Sequence, residues 1–401
     1  MIAAPLRILT VNSGSSSVKF SLYEGEEMIF EGSINRIGLK GSLLSVRGQE
    51  GRVLEERHTD IADHDAAFST LFAWLRGLSP DTFLDAVGHR IVHGGNRFLQ
   101  PHLVTAEAVE TLTRLIPFAP DHLPDEIRAI RAVERLYPSL AQVACFDTAF
   151  HRHMPEVARM YPLPRFLWRE GVRRYGFHGL SYEYIMEELA REAGPEKAHG
   201  RVLVAHLGNG ASMAAVRGGR GVETTMGFTP SGGLMMGTRP GDLDPGVLLY
   251  LLEEKGMRPS TVSDIVNQHA GLQAVSGMTS DMRELLVLEA TEAHAAQAID
   301  LFCYSAKKAV GALTAVLGGL DTMVFTGGVG EHAPIIRERI CSGLEFLGIA
   351  IDTTLNDTNR EIISRVGSPV CVRVMRTDEE LMIARHTAGL IRERAGKREG
   401  I

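Results

Sequence analysis

The feature that most constrains this chain is a three-strand unit that occurs twice. Residues 6–12 form an apolar, β-forming run that ends in Asn12-Ser13-Gly14-Ser15-Ser16-Ser17. Residues 18–23 and 28–34 follow as strands, with only Gly25-Glu26 as a turn between them. No helix intervenes, so the three strands read as an antiparallel meander. About half the chain later the layout returns. Residues 201–207 end in Gly208-Asn209-Gly210, residues 211–216 continue as a strand, Gly218-Gly219 turns, and residues 221–226 form the third strand. Two unrelated hairpins are the bland alternative; the matched three-strand plan favours an internal duplication.

Helices and further strands alternate between the two meanders. Phe68, Leu71, Phe72 and Leu75 lie on one face of a helix over 65–78. A strand covers 85–92. Thr105 opens a helix with Glu107 in its first turn, Pro124 starts another that runs to Tyr137, and 141–146 is a strand. The second half alternates in the same way, with a helix after Ser181, a long helix over 291–317, a strand at 322–326, a helix after Pro334, a strand at 371–375 and a last helix from Asp378. The expected fold is two α/β domains with mixed sheets flanked by helices. A chain of 401 residues, 44% hydrophobic, supports two such cores. Its net charge of −7 gives no basic nucleic-acid surface, so an anionic ligand must be met by local cations. Cys145, Cys303, Cys341 and Cys371 are scattered in apolar settings without a CxxC pair, as reduced buried thiols of a cytoplasmic protein would be. No apolar run is long enough for a membrane span, and the N-terminus does not read as a signal peptide.

Three glycine turns are suited to phosphate: 12–17 with Lys19 beyond it, 206–210, and Thr326-Gly327-Gly328-Val329-Gly330-Glu331 before a helix near Pro334. Small residues let backbone N–H groups approach an anion. None is a Walker A or Rossmann fingerprint. Arg90, inside an apolar strand, must meet a carboxylate or a ligand. Arg239 stands in the rigid Gly237-Thr238-Arg239-Pro240-Gly241 loop, which favours anion binding. His178 lies between glycines before a helix and reads evenly as a functional residue or as a capping or packing one. Asp147 ends a strand, as a catalytic acid or an N-cap. Acids at Asp378-Glu379-Glu380 suit a helix dipole without any function.

Taken together, the ordered segments NSGSSSVKF, GHRIVHGG, FDTAFH, YGFHG, HLGNG, ETTMGFTP, MGTR, VFTGGVGE and TDEELMIAR closely resemble the acetate kinase family, from residue 8 to 385. The resemblance implies the actin-like ATPase (ribonuclease H-like) fold: duplicated domains at 1–149 with a returning 380–401 and at 150–379, the second binding nucleotide and dimerising, with ATP in the interdomain cleft. It implies reversible, in-line transfer of the ATP γ-phosphate to acetate, with Mg²⁺ or Mn²⁺ and ATP/ADP, in a cytoplasmic homodimer with no nucleic-acid or membrane partner. Site residues carry over by motif. Asp147, His178, Arg239 and Arg90 match the catalytic set, and Arg90, Val92, His122, Phe177 and Pro230 match the carboxylate pocket. Lys19, His206, Leu207, Gly208, Asn209, Gly210, Asp281, Met282, Arg283, Gly328, Val329, Gly330, Glu331 and His332 match the nucleotide side. Asn12 and Glu379 match the metal site.

The chemistry fits these residue types. A carboxylate is already ionised near neutral pH and needs no base. Bringing two anions together needs positioning and positive charge, which arginines, a metal ion and a His donor supply. The chain departs from the family pattern at Asp121, Asn96 and 229–233, around the acyl pocket. Competing readings are a propionate or butyrate kinase and a non-kinase actin-like ATPase.

Overall fold

In the computed structural model the described residues are 4–14, 16–78 and 84–399. Ser15, inside the first Ser/Gly turn, lies outside them. The chain divides into two compact units, Met1–Ala149 with Asp378–Ile401, and Phe150–Thr377.

In the first unit the strands are β1 (Arg7–Ser13), β2 (Ser17–Glu24), β3 (Glu27–Asn35), β4 (Ser42–Gly48), β5 (Val53–Thr59), β6 (Ala86–Ile91), β7 (His102–Leu103) and β8 (Ala141–Phe146). Among the described residues they form one sheet in the order β5-β4-β3-β2-β1-β6-β8-β7. The β1–β2–β3 meander is antiparallel, and β1, β6 and β8 run parallel. Alternation along the strands sorts the faces. Leu9, Val11 and Val87 pack with Phe68, Leu71 and Phe72 of α1 (His64–Leu78) and with Ala129 and Val133 of α3 (Leu123–Leu136). Between these helices, α2 (Ala106–Arg114) is capped by Thr105, whose side chain accepts from the Ala108 N–H. The opposite face, with Ile8 and Ala86, meets Ala384 and Ala388 of the C-terminal helix, Glu379–Glu399. That helix lies so close to β6 that a Cβ on Gly88 would stand 2.4 Å from Thr387 Oγ1.

The second unit repeats the plan. Its strands are β9 (Arg201–Leu207), β10 (Ala211–Arg217), β11 (Arg220–Thr224), β12 (Thr322–Thr326) and β13 (Cys371–Val374), in the order β11-β10-β9-β12-β13. An antiparallel meander is followed by parallel β12 and β13. The order β3-β2-β1-β6-β8 of the first sheet is the same topology, so the internal repeat extends from the meanders to the sheets. Its helices include α4 (Gly179–Ala193), α5 (Ala293–Leu317) and α6 (Gly327–His332).

The structure adds to the sequence reading in three places. β4 and β5 extend the first sheet. Residues 327–332, expected as an open turn, are helical. Cys371 is only half-buried, whereas Cys145, Cys303 and Cys341 are buried; all four are free thiols.

Candidate active site

The first unit gathers charge at the ends of its parallel strands. The β1–β6 ladder ends at Val11 and His89, and Asn12 and Arg90 are the next residues along each strand. The Arg90 guanidinium makes a two-pronged pair with Asp147, Nε to Oδ1 at 3.1 Å and Nη2 to Oδ2 at 2.7 Å. Its Nη1 lies 3.4 Å from Glu379 Oε2, at the first residue of the C-terminal helix. Burial works against the charge on Arg90, but Asp147 and then Glu379 outweigh it and hold the guanidinium well above its ordinary pKa. Burial likewise pushes the Asp147 carboxyl up, against the pull of Arg90. Asp147 is therefore an ion-pair partner rather than a helix cap. Its own N–H donates to the Ile91 carbonyl at 3.0 Å, which fixes it beside the end of β6.

Sequence reasoning missed Glu126. Its carboxyl is 3% exposed on α3 and accepts from the Val92 N–H, at 3.1 and 3.2 Å to its two oxygens. Burial pushes its pKa up to about 8, against the Val92 hydrogen bond. The signal was present: Glu126 interrupts the apolar stripe of Leu123, Ile127, Ile130 and Val133. The remaining residues of this unit are spread more widely. Val92 is buried and His122 half-buried, with His122 at the N-cap of α3 and making no side-chain cap bond. Asp121 is exposed and does not occupy the cap. Lys19 on β2 is exposed and pairs in register with Asn12.

The second unit brings His178, His206 and Arg239 to one turn. His178 sits in the left-handed region (φ 56°) at the start of α4. Its loop is held from below: the His151 ring contacts the Phe177 carbonyl through Nε2 at 3.0 Å, and Arg174 donates to the carbonyls of Thr224, Thr225 and Met226. Burial pushes His151 down to about 4, so its ring is neutral and Nε2–H is the donor. His178 Nδ1 is 2.8 Å from Ser212 Oγ, and the ring stacks on His206 at 4.3 Å between centroids. A Cβ on Gly210 would lie 3.1 Å from both His178 Nε2 and Arg239 Nη2, and one on Gly208 would lie 3.7 Å from His206 Nε2. Three donor-bearing groups therefore face the Gly208-Asn209-Gly210 turn.

Backbone clamps hold Arg239 there. The Gly237 N–H donates to the Asn209 carbonyl, the Ala270 N–H to Thr238, and the Leu272 N–H to Met236. Gly271 (φ 65°) lets the chain come close, since its Cβ would stand 2.1 Å from the Met236 carbonyl. Arg239 Nη1 donates to the Pro230 carbonyl at 2.8 Å. Phe177 is buried in the core.

The other nucleotide-side candidates stand apart from this turn in the hydrogen-bond network. Asp281 caps a short helix by accepting from the Arg283 N–H and pairs with the exposed Arg283 side chain, whose bond lowers Asp281 to about 2; Met282 is buried. At α6 the reading of 326–331 as an open phosphate turn needs correction. Glu331 folds back to accept from the Gly327 N–H at 2.9 Å and from the Thr377 N–H at 3.2 Å, so its own carboxylate occupies the start of the helix. Arg337, fully buried, donates to the Gly330 and Glu331 carbonyls and fixes that element. Gly328 and His332 are exposed, and Val329 is half-buried.

Comparison with known proteins gives the family. Residues 7–385 match the model of the acetokinase family. An acetate kinase of Rhodopseudomonas palustris strain TIE-1 is 47% identical over 387 residues, covering 94% of this chain and 97% of the relative. Among solved structures, Porphyromonas gingivalis acetate kinase superposes with a TM-score of 0.88 at 39% identity, covering 96% of this chain and all of the other. A propionate kinase from Francisella tularensis gives 0.90 at 35%, covering 95% and 98%. The chain belongs to the acetokinase family.

Proposed function

We propose that the chain is an acetate kinase, transferring the γ-phosphate of ATP to acetate to give acetyl phosphate and ADP. The observation that carries this reading is the convergence of His178 Nε2 and Arg239 Nη2 on the Gly210 turn, in a chain that matches the family over nearly its whole length. Transfer between two anions has little covalent chemistry for a protein to perform. Preorganised donors where charge crowds in the transition state are the main requirement. In this reading the turn and His206 hold the ATP phosphates, and Arg239 and His178 stabilise the moving phosphoryl group. Lys19, with the 281–283 and 328–332 segments, serves the nucleotide.

In the first unit Arg90 grips the carboxylate, and Asp147 keeps the Arg90 fork in one orientation. Val92 and His122 of this unit serve the acyl group; Phe177 and Pro230 belong to the second unit, where the Pro230 carbonyl accepts from Arg239. Asn12 and Glu379 offer an amide oxygen and a carboxylate, both hard donors. No cluster of three His, Cys, Asp or Glu is present among the described residues. So small an oxygen set fits Mg²⁺ (or Mn²⁺), which retains waters and takes further oxygens from substrate phosphates. When bound, the ion would supply charge neutralisation on those phosphates.

Fold similarity is equally high to an acetate and a propionate kinase, so chain length is decided at the acyl pocket. Asp121 is exposed, as expected if it leaves that pocket apolar. A hydroxamate assay across acetate, propionate and butyrate tests the substrate, with the highest kcat/KM expected on acetate; a maximum on a longer acid would move the assignment to that acid. We further propose a cytoplasmic homodimer in which a second copy covers Leu301, Tyr304 and Val316, large side chains that α5 leaves exposed. No helix among the described residues is long and apolar enough to cross a membrane.

A further inference from the structure

His178 and His206 are stacked side by side, and each leans on a serine that leans on another hydroxyl. Behind His178, Nδ1 meets Ser212 Oγ at 2.8 Å, and Ser212 Oγ meets the Tyr182 hydroxyl. Behind His206, Nδ1 meets Ser181 Oγ at 2.8 Å, and Ser181 Oγ accepts from Thr377 Oγ1 at 2.8 Å. Ser181, Ser212 and Tyr182 are completely buried. The outer nitrogens of both rings face the Gly208–Gly210 turn.

We propose that Ser212 with Tyr182, and Ser181 with Thr377, are positioning residues that hold His178 and His206 as neutral rings protonated on Nε2. The polarity follows from counting protons. Thr377 donates to Ser181, so Ser181 has its own proton to give, and His206 Nδ1 receives it. In the other row the Tyr182–Ser212 bond fits either direction, and the proposal takes the same sense, from Tyr182 to Ser212 to His178 Nδ1. A ring that accepts on Nδ1 carries its proton on Nε2. Both Nε2–H groups then point at the turn, where a phosphate oxygen accepts. The reverse polarity would aim two nitrogen lone pairs at an anion. Two imidazolium rings stacked at 4.3 Å would repel each other, and each would force its serine to accept instead of donate. The relays thus supply one Nε2–H donor from each ring.

This inference rests on the reading of His178 as a transition-state donor, and two measurements separate them. The first is ¹⁵N NMR of histidine-labelled, unmodified protein near pH 7.5. The expected result is a protonated Nε2 and an unprotonated, hydrogen-bonded Nδ1 on both rings; a proton on Nδ1 of His178, or an imidazolium there, overturns the proposal. The second is a double-mutant cycle on kcat. Ser212→Ala should lower kcat about tenfold, the scale of one hydrogen bond, with KM for ATP and acetate little changed. Tyr182→Phe should act in the same direction, more weakly. Ser212→Ala should have no further effect in a His178→Ala background. An added tenfold fall there would show that Ser212 acts independently of His178 and sink the relay. A His178→Ala variant with full kcat would instead overturn the role of His178, leaving the tautomer to be judged by the NMR result alone.

Discussion

Arg239 and Glu126 show how differently two single residues announce themselves. Arg239 was legible because a rigid Gly/Pro loop rarely carries Arg without a reason, and the structure clamps that loop on three sides. Arg239→Ala is expected to lower kcat by about 10²–10³, the scale for one preorganised donor, while ATP binding changes little. Lysine should rescue only in part, since a point charge cannot reproduce a planar fork. Near-normal steady-state turnover in the alanine variant would remove Arg239 from the catalytic set. Glu126 showed in the sequence only as an acid within the apolar stripe of α3; what its carboxyl meets depends on which strand the helix covers. Its folded pKa, pushed up to about 8 by burial, lies above that of an unfolded carboxyl. The folded state therefore binds the extra proton, and stability falls as pH rises through the window from about 5 to 8, by at most about 1.4 kcal/mol per unit. Glu126→Gln keeps an acceptor for Val92 without the titration. Thermal melts at several pH values should show a smaller loss toward pH 8 in the glutamine variant; parallel melting curves would count against a neutral Glu126.

The meanders, α1 and the Thr105 cap were readable at the level of elements, since periodicity and capping chemistry are local. β5 was not. VLEERHT shows neither period, and five of its seven residues are exposed with the other two half-buried, as suits a charged sheet edge. α6 escaped for the opposite reason. Glycine is a poor helix former, and only the fold-back of Glu331 and the buried Arg337 stabilise helix in a GGVG sequence. The same closeness of packing that hides α6 makes the glycine turns sensitive. Gly210→Ala would press a methyl group against His178 and Arg239, and Gly271→Ala would clash with the Met236 carbonyl at a left-handed position. Gly210→Ala should fold normally and lose activity. Gly271→Ala should lose both stability and activity, read by thermal melting alongside the kinetics. If Gly210→Ala retains wild-type kcat, the turn is not where the phosphoryl group passes.

For the whole molecule, the duplicated plan was the most legible property, because it depends on order along the chain and not on any contact. The sheets share one topology, with β4 and β5 added at one edge of the first and the short β7 at the other. Oligomeric state was read only from surplus apolar helix surface and from resemblance. Light scattering at micromolar concentration should give twice the chain mass, and Tyr304→Glu should shift it toward a monomer; a wild-type monomer would rule out the second copy. What separates a carboxylate kinase from an ATPase is that phosphate passes to a carboxylate and not to water. ³¹P NMR of the protein with ATP, Mg²⁺ and acetate decides it. Acetyl phosphate and ADP should appear together, with ATP stable when acetate is left out. ATP consumed at the same rate without any carboxylate, with inorganic phosphate as the product, would contradict it.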